Sequence, residues 1–263
     1  MSPALGLDWA TARVLWGRDV LRFFRQRSRV IGALAQPIIF WVVIGTGFSG
    51  SFELPGAALD YRAYFFPGVV TMVLLFSAIF ATITVIEDRQ QGFLQCVLAG
   101  PGSRAALVLG KMLGSTSIAL VQAGLFLLFA PLAGVKLSEV QFGLLGLVMV
   151  LSALAFTAVG FALAWSVGSS TGYHAVMSAL LIPLWVLSGA MFPIRGAGPL
   201  LGAFMSINPM RFAVDGVRRA LYGDGAVAAA LGRPAGAVGE LVALSLFALV
   251  FVGLSTWRVR RRE

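Results

Sequence analysis

The sequence predicts an all-α membrane protein with six transmembrane helices, and two observations carry this prediction. Of its 263 residues, 59% are hydrophobic and only 12% are charged, whereas soluble domains contain about 45–50% apolar and about 25% charged residues. Six stretches have the roughly 20 apolar residues that are needed to cross the hydrocarbon core of a bilayer. A soluble fold of this size would expose too much apolar surface, so we expect lipid to be its solvent.

The predicted spans cover residues 30–48, 64–86, 105–130, 142–167, 173–192 and 241–257. Lys111 is the one charged residue within these limits, and its position near the start of the third span predicts that its side chain reaches the interface. The five residues 168–172, Gly-Ser-Ser-Thr-Gly, predict a tight turn between the fourth and fifth spans. We assign residues 1–29 to an amphipathic segment and residues 30–263 to one six-span domain.

The net charge of +9 is better explained by membrane orientation than by nucleic-acid binding, because the arginines cluster beside the apolar spans. Thirteen of the twenty Lys and Arg residues lie on the side of the two termini. Positively charged residues mark the cytoplasmic side of a membrane protein. We therefore expect a multi-pass protein of the cell inner or plasma membrane with both termini in the cytoplasm and no nucleic-acid partner.

Residues 8–29 have the pattern of an amphipathic helix that lies in the cytoplasmic interface and is held by anionic lipid. One face carries Thr11, Arg18, Arg22, Arg25 and Arg29. The opposite face carries Trp9, Ala12, Trp16, Val20, Phe23 and Phe24. The pattern fits a simple membrane anchor and also a helix that contacts a partner protein, and it does not separate the two.

The loop of residues 86–104, which the charge count places in the cytoplasm, predicts a short helix. It opens with Glu87, Asp88 and Arg89, passes Gly92 and ends at Pro101 and Gly102. Between these limits the apolar residues Phe93, Leu94, Val97 and Leu98 recur at helical spacing. Such a helix either lies on the membrane or docks into a groove on another protein.

The long outer loop, residues 193–240, predicts two short helices. Asn208 and Pro209 are a suitable N-cap and first helical residue, and Gly223 suits the end of that helix. Its apolar side includes Phe212, and its other side is predicted to carry i,i+4 ion pairs of Asp215 with Arg211 and with Arg219. A shorter apolar helix over residues 199–206 precedes it. These helices are either packing caps or the outer gate of a transport route.

The sequence contains no pattern typical of a catalytic or metal site. It lacks a phosphate-binding loop, and no Cys or His residues have metal-ligand spacing. No Asp or Glu lies within the predicted spans, which disfavours a proton- or sodium-coupled carrier. We therefore expect that the chain is not an enzyme and binds no cofactor itself. Gly110 and Gly114 predict a close helix contact in the third span.

This order of segments resembles the permease subunit of ABC-2 type transporters, in the group that includes the daunorubicin-resistance and nodulation-factor permeases. One set of matching residues lies in the cytoplasmic loop: Asp88-Arg89, Gly92-Phe93-Leu94, Leu98, Pro101 and Ser103-Arg104. The other lies in the fifth span and outer loop: Pro183-Leu184, Leu187-Ser188-Gly189, Phe192-Pro193 and Asn208-Pro209. Gln90-Gln91 and Gly102 depart from the family pattern.

The resemblance implies that the chain is half of the membrane part of an exporter. A second permease copy or paralogue would complete a dimer, and separate ATP-binding subunits would hold ATP and Mg²⁺. Alternating access would move an amphiphilic, drug-like, lipid-like or glycoconjugate cargo outward, as in multidrug efflux.

The resemblance also assigns roles to particular residues. The coupling residues toward the ATP-binding subunit are Glu87, Asp88, Arg89, Gly92, Phe93, Leu94, Leu98, Pro101 and Arg104. The interface helix acts through Trp9, Trp16, Arg18, Arg22, Phe23 and Arg25, next to the lipid bilayer. The outer gate contains Phe192, Pro193, Asn208, Pro209 and Phe212.

Two other functions remain open on the sequence alone. The chain could be a membrane assembly or scaffold factor with no transport role, and copurification with an ATP-binding protein separates this function from a permease. It could also be a membrane-embedded enzyme of lipid metabolism, for which Glu87, Asp88 and His174 are the candidate catalytic residues.

Overall fold

The computed structural model describes residues 3–48, 60–100, 102–194, 197–231 and 235–261, and all regular secondary structure in these ranges is helical. A 3₁₀ turn covers Ala130–Ala133 and a π-helical turn covers Val186–Ala190. The α-helices are α1 (Pro3–Arg25), α2 (Arg27–Gly47), α3 (Tyr61–Ala81), α4 (Ile83–Gln90), α5 (Phe93–Leu98), α6 (Arg104–Leu127), α7 (Phe142–Ser166), α8 (Ser170–Trp185), α9 (Pro199–Ile207), α10 (Pro209–Tyr222), α11 (Asp224–Leu231) and α12 (Gly236–Arg261).

Six helical segments of the described chain are long and apolar enough to span a bilayer, which confirms the predicted fold class. They cover Val30–Gly47, Tyr61–Gln90, Arg104–Leu127, Phe142–Ser166, Ser170–Ala190 and Gly236–Val259. Only three residues separate α7 from α8, at the predicted turn, where the Ser169 side chain accepts a hydrogen bond from the Gly172 backbone N–H.

The ends of two spans differ from the prediction in a way that matters. The second span continues through α4 to Gln90, and the sixth begins at Gly236. Three acidic residues, Glu87, Asp88 and Glu240, therefore lie within the spans, and four arginines lie at span ends: Arg62, Arg89, Arg104 and Arg258. The expectation that Lys111 is the one charged residue there is wrong. The sequence-based limits excluded these residues because an apolar run ends at its first charged residue. Whether a neighbouring helix supplies a partner for that charge is not visible in the run itself.

The second span lies at the centre of the bundle, and the first and sixth lie at its periphery. In the most apolar stretch of the second span, 89% of the residues are buried, whereas in the corresponding stretches of the first and sixth spans only 17% are buried. Its α3 portion packs against α2, α6, α7 and α10. Aromatic rings fill the contact with α2 and α6: the ring of Phe66 lies 5.4 Å from that of Trp41 and 5.2 Å from that of Phe126.

Helix α1 lies along α6, and this contact depends on the two glycines that predicted it. A Cβ atom at Gly110 would lie 2.7 Å from the backbone oxygen of Ala12, and one at Gly114 would lie 3.2 Å from the Cβ of Asp19. Any larger residue at Gly110 would push the helices apart. The close helix contact predicted for the third span is thus confirmed, and it places Asp19 beside α6.

The amphipathic helix ends earlier than predicted and turns a different stripe inward. α1 stops at Arg25, and α2 begins at Arg27. Its buried residues are Ala12, which belongs to the predicted apolar face, and Leu15 and Asp19, which the pattern assigned to neither face.

The start of α10 confirms the predicted cap. Pro209 is its first residue, and the Asn208 side-chain oxygen accepts a 3.0 Å hydrogen bond from the Met210 backbone N–H. The Asn208 amide also donates to the backbone oxygen of Leu184, at 2.6 Å. The helix ends at Gly223, as predicted. The cap therefore also ties α10 to the end of α8.

Candidate functional site

Six charged side chains from α1, α4 and α6 meet at the end of the bundle where the second span finishes. We call this set the Asp88 cluster: Arg18, Asp19, Arg22, Glu87, Asp88 and Lys111. Asp88 is at its centre and forms ion pairs with Arg18, Arg22 and Lys111. Arg22 also pairs with Glu87 at 2.9 Å, and Lys111 pairs with Asp19 at 2.8 Å. Three cations balance three carboxylates, so the cluster carries no net charge.

The prediction that Lys111 extends its side chain to the interface is wrong. Its side chain is 1% exposed and lies between two carboxylates that are almost as deeply buried. A buried ammonium group is tolerated only when it is paired. Asp19 and Asp88 provide that pairing, and Lys111 therefore connects α1 and α4 to α6.

Helix α5 follows directly after the Asp88 cluster and is attached to it. Gly92 precedes this helix as its N-cap and lies in the left-handed region, with a φ of 73°, where a residue with a side chain would be strained. The guanidinium of Arg18 lies 3.8 Å from the centre of the Phe93 ring. Leu94 is buried against the bundle, whereas Leu98 is 40% exposed. The apolar side of α5 is therefore divided between the interior of the protein and its surface.

The remaining predicted coupling residues lie on either side of this point. The Arg89 guanidinium donates hydrogen bonds to backbone oxygens at the end of α7, the shortest being 3.0 Å to Trp165. Arg104 is exposed at the first turn of α6, and Pro101 lies outside the described residues. Arg89 thus attaches the α4–α5 segment to a fourth helix.

The predicted interface residues of α1 are divided between exposed and internal positions. Trp9 is 63% exposed, Arg25 is also exposed, and Phe23 is half-buried. The Trp16 indole N–H donates a 3.0 Å hydrogen bond to the Ser117 hydroxyl on α6. Arg18 and Arg22 belong to the Asp88 cluster.

A second charged cluster lies at the opposite end of the bundle, around α10. This Asp215 cluster consists of Tyr64, Arg211, Asp215, Arg218, Arg219 and Glu240. Arg218 is fully buried; it donates to the Asp215 carboxylate at 3.2 Å and to the backbone oxygen of Gly189 at 3.1 Å. Its guanidinium also lies 4.6 Å from the centre of the Tyr64 ring. The Tyr64 hydroxyl donates to the same Gly189 oxygen at 2.8 Å.

The ion pairs of this helix differ in part from the predicted ones. The Arg211–Asp215 pair is confirmed at 3.2 Å, but the predicted Asp215–Arg219 pair is wrong. Arg219 instead makes two hydrogen bonds to Glu240 on α12, at 2.7 and 3.0 Å. The side of α10 that was predicted to carry only its own ion pairs thus also packs on α12, whose Glu240 carboxylate accepts two hydrogen bonds from Arg219.

Burial sets the protonation behaviour of the Asp215 carboxyl group. Removal from water raises its pKa to about 7, although Arg218 and Arg211 beside it act in the opposite direction. Burial disfavours the charged form of a carboxyl group, and adjacent cations favour it. Asp215 therefore titrates much closer to neutral pH than an exposed aspartate does.

The predicted gate residues surround the point where the fifth span ends. The helix breaks at Gly189, and the half-buried Phe192 and Pro193 follow within four residues. Asn208 is buried, while Pro209 and Phe212 are partly covered. The structure thus brings these five residues to one end of the bundle, beside the Asp215 cluster.

Sequence reasoning missed several residues that build the two clusters, notably Asp19, Tyr64, Arg218 and Glu240. The sequence held one indication of the role of Asp19. An acidic residue among the arginines of the amphipathic helix is a candidate partner for Lys111 in the third span. Glu240 had another, since an acid at the start of an apolar span needs a cation nearby. Neither signal identifies which residue becomes the partner.

Comparison with known proteins agrees with this architecture. The model of a family described as "ABC-2 type transporter" matches residues 11–222. Nodulation protein J of Rhizobium meliloti (strain 1021) is 26% identical over 268 residues, which cover 99% of this chain and 95% of that protein. The protein ycf38 of Pyropia yezoensis, described as a transport permease, is 24% identical over 210 residues, which cover 78% of this chain and 72% of that protein. Because the family model spans most of the sequence and the fold has six membrane-spanning helices, this chain belongs to the ABC-2 type transporter family.

Proposed function

We propose that this chain is the permease subunit of an exporter that is driven by a separate ATP-binding subunit. The observation that carries the proposal is the attachment of α5 to the bundle through the Asp88 cluster. Arg18 contacts both Phe93 and Asp88, and Asp88 shares Lys111 with Asp19. A partner that pushes on α5 would therefore move α1, α4 and α6 as one unit.

The side of α5 that would meet this partner is the exposed one. Gln95, Cys96 and Leu98 face outward, whereas Leu94 packs into the bundle. We assign partner contact to the exposed residues, and we assign to Phe93 and Leu94 the role of holding the helix in place. A short helix with exposed apolar residues fits a groove on another protein.

The exposed side of α1 supports a position at the cytoplasmic surface of the inner or plasma membrane. Trp9 and Trp16 are exposed on this helix together with Arg13 and Arg25. Aromatic and basic side chains on one interfacial helix are typical of binding to an anionic leaflet. In this proposed orientation both termini would lie in the cytoplasm and the Asp215 cluster on the outer side.

The proposed cycle moves amphiphilic cargo outward by alternating access between this chain and a second copy or paralogue. ATP and Mg²⁺ would be bound by the partner subunits. The segment from Phe192 to Phe212 would act as the outer gate, since the Asp215 cluster ties α10 to the end of the fifth span through Gly189.

The first experiment is gentle purification of the tagged chain from its native membrane. We expect an ATP-binding protein to copurify, with ATPase activity that vanadate inhibits. Its absence in several detergents would contradict the exporter and favour an assembly or scaffold role.

The substitution Leu98→Glu tests coupling through α5. We expect the complex to keep its ATPase activity and to lose most ATP-driven transport, because a charge on the exposed side would weaken docking in an apolar groove. Leu137→Glu places the same charge at the other end of the bundle, where Leu137 is 54% exposed, and should leave transport unchanged. Equal transport by both variants would remove α5 from the coupling mechanism.

A further inference from the structure

A cleft of about 340 Å³ opens between the end of α1 and helices α2, α3 and α6. It is lined along α3 and α4 by residues between 72 and 84, a length of about 18 Å at 1.5 Å per residue. Its walls are mainly apolar and include Met72, Phe76 and Ile118. This volume falls within the range of small-molecule sites.

Gln122 lines the cleft and lacks a protein partner. Its side chain is 1% exposed, and neither its amide nitrogen nor its amide oxygen makes a hydrogen bond. A buried amide without a partner is costly. Such a group is explained when a bound molecule supplies the missing donor and acceptor.

The backbone of α2 contributes another polar group without its usual partner. Pro37 lies inside this helix, and a proline has no N–H to bond with the carbonyl four residues earlier. That carbonyl belongs to Ala33, and both residues line the cleft. The carbonyl of Ala33 therefore lacks its usual helical donor.

Two residues that carry a formal charge line the cleft, together with His174, and both of them are already paired. Asp19 pairs with Lys111 and Arg18, and Arg22 pairs with Glu87 and Asp88. An ionic headgroup would have to compete with these pairs. An uncharged molecule with hydrogen-bonding groups would not.

We propose that this cleft binds one uncharged amphiphile, whose apolar chain lies along α3 and whose amide, hydroxyl or carbonyl group pairs with Gln122. The assignment of this cleft as the cargo site of the exporter rests on the function proposed above. The binding of an amphiphile in the cleft does not.

The test is photolabelling of the purified full-length chain in phosphatidylcholine vesicles, with no ATP-binding subunit present. The probe is a monoacylglycerol that carries a diazirine in its acyl chain, and labelled residues are mapped by mass spectrometry. We expect labels on the cleft-lining residues of α2, α3 and α6. Competition by unlabelled monoacylglycerol should be stronger than by a fatty acid or an alkyltrimethylammonium ion of equal chain length.

Two variants and two matched controls complete the test. Gln122→Leu removes the unpartnered amide, so the fold should be kept while cleft labelling falls about fivefold, as expected for one lost hydrogen bond. Gly32→Leu should block the cleft, because a side chain at Gly32 meets open space. Ser152→Ala removes a buried hydroxyl without a partner away from the cleft, and Gly124→Leu fills open space elsewhere on α6. Both controls should label like the unmodified chain.

Labelling spread evenly over the lipid-facing residues, or unchanged in Gln122→Leu and Gly32→Leu, would overturn the site. Equal competition by the charged amphiphiles would overturn the ligand class. Because the assay needs no ATPase, these failures are distinct from a failure to copurify an ATP-binding protein, which would overturn the exporter alone.

Discussion

The two charged clusters at opposite ends of the bundle use similar residues but differ in depth and construction. The Asp88 cluster joins side chains of three helices, and its arginines are about 30% exposed. The Asp215 cluster is centred on one helix, α10, and its Arg218 is fully buried and partly bonded to a backbone oxygen. Water can therefore compensate the arginines of the Asp88 cluster for a lost partner much more easily than it can compensate Arg218, whereas Lys111 and Asp88 are each only 1% exposed.

This contrast predicts that the largest loss of stability follows Arg218→Met. Removing one partner of a buried ion pair costs about 3–5 kcal/mol, and here the Gly189 oxygen also loses a donor. The free energy of unfolding can be measured by titration with sodium dodecyl sulfate in mixed micelles. Arg211→Met is the control, since its side chain is 12% exposed and pairs with the same Asp215. Equal losses of unfolding free energy for Arg218→Met and Arg211→Met would show that the burial of the arginine does not determine the loss.

The next largest effect is expected for Lys111→Met. Asp19 and Asp88 would lose their shared cation, but the partly exposed Arg18 would still contact both. We expect a loss of about 2–3 kcal/mol in the same titration. Adding Asp88→Asn restores the balance of two cations and two anions, so the double variant should regain part of that loss. A double variant less stable than Lys111→Met would contradict the pairing.

A smaller effect is expected at the rim of the Asp88 cluster, between Arg22 and Glu87. These side chains are 31% and 20% exposed, and pairs that water reaches contribute about 0.5–1 kcal/mol. A double-mutant cycle with Arg22→Met and Glu87→Gln measures this interaction energy. The surface pair Lys136–Glu139, at 73% and 64% exposure, is the comparison and should give the lower value. A larger interaction energy for Lys136–Glu139 than for Arg22–Glu87 would contradict the expected order of the two pairs.

A separate prediction concerns the pH dependence of stability at the Asp215 end. Asp215 titrates near 3.9 when unfolded, and burial raises its folded pKa to about 7. The folded state thus holds this proton more tightly, and the stabilisation is present below about pH 4 and lost as the pH rises to about 7. Relative to Asp215→Asn, the unmodified chain should lose stability over this interval. If the difference in unfolding free energy between the unmodified chain and Asp215→Asn stays constant between pH 4 and pH 7, the raised pKa of Asp215 is contradicted.

Much of the fold could be predicted from the sequence because the signals are local. The cap at Asn208 and the turn at residues 168–172 depend on neighbouring residues. The contact at Gly110 depends on a spacing within one helix. Each of these signals lies within a few residues of chain, and each is confirmed by the structure, although the spacing at Gly110 did not identify α1 as the partner helix.

Less of the candidate site could be predicted, because its contacts join distant parts of the chain. Arg18 and Asp88 are separated by 70 positions in the sequence, and Arg219 finds Glu240 only where α10 packs on α12. The helical spacing grouped Leu94 and Leu98 as apolar residues of one short helix. It could not show that Leu94 faces the bundle while Leu98 faces outward. The cleft around Gln122 likewise exists only through the arrangement of six helices.

The sequence by itself determined that this protein spans a membrane six times and where most of its helices begin and end. Hydropathy and capping act over one helix, so they are visible in the residues alone. The tertiary structure decided which charges meet, which become buried and which apolar face stays exposed. The physical reason is that a charge in an apolar medium takes whichever counter-charge the packed helices bring within reach, and only packing determines that neighbour.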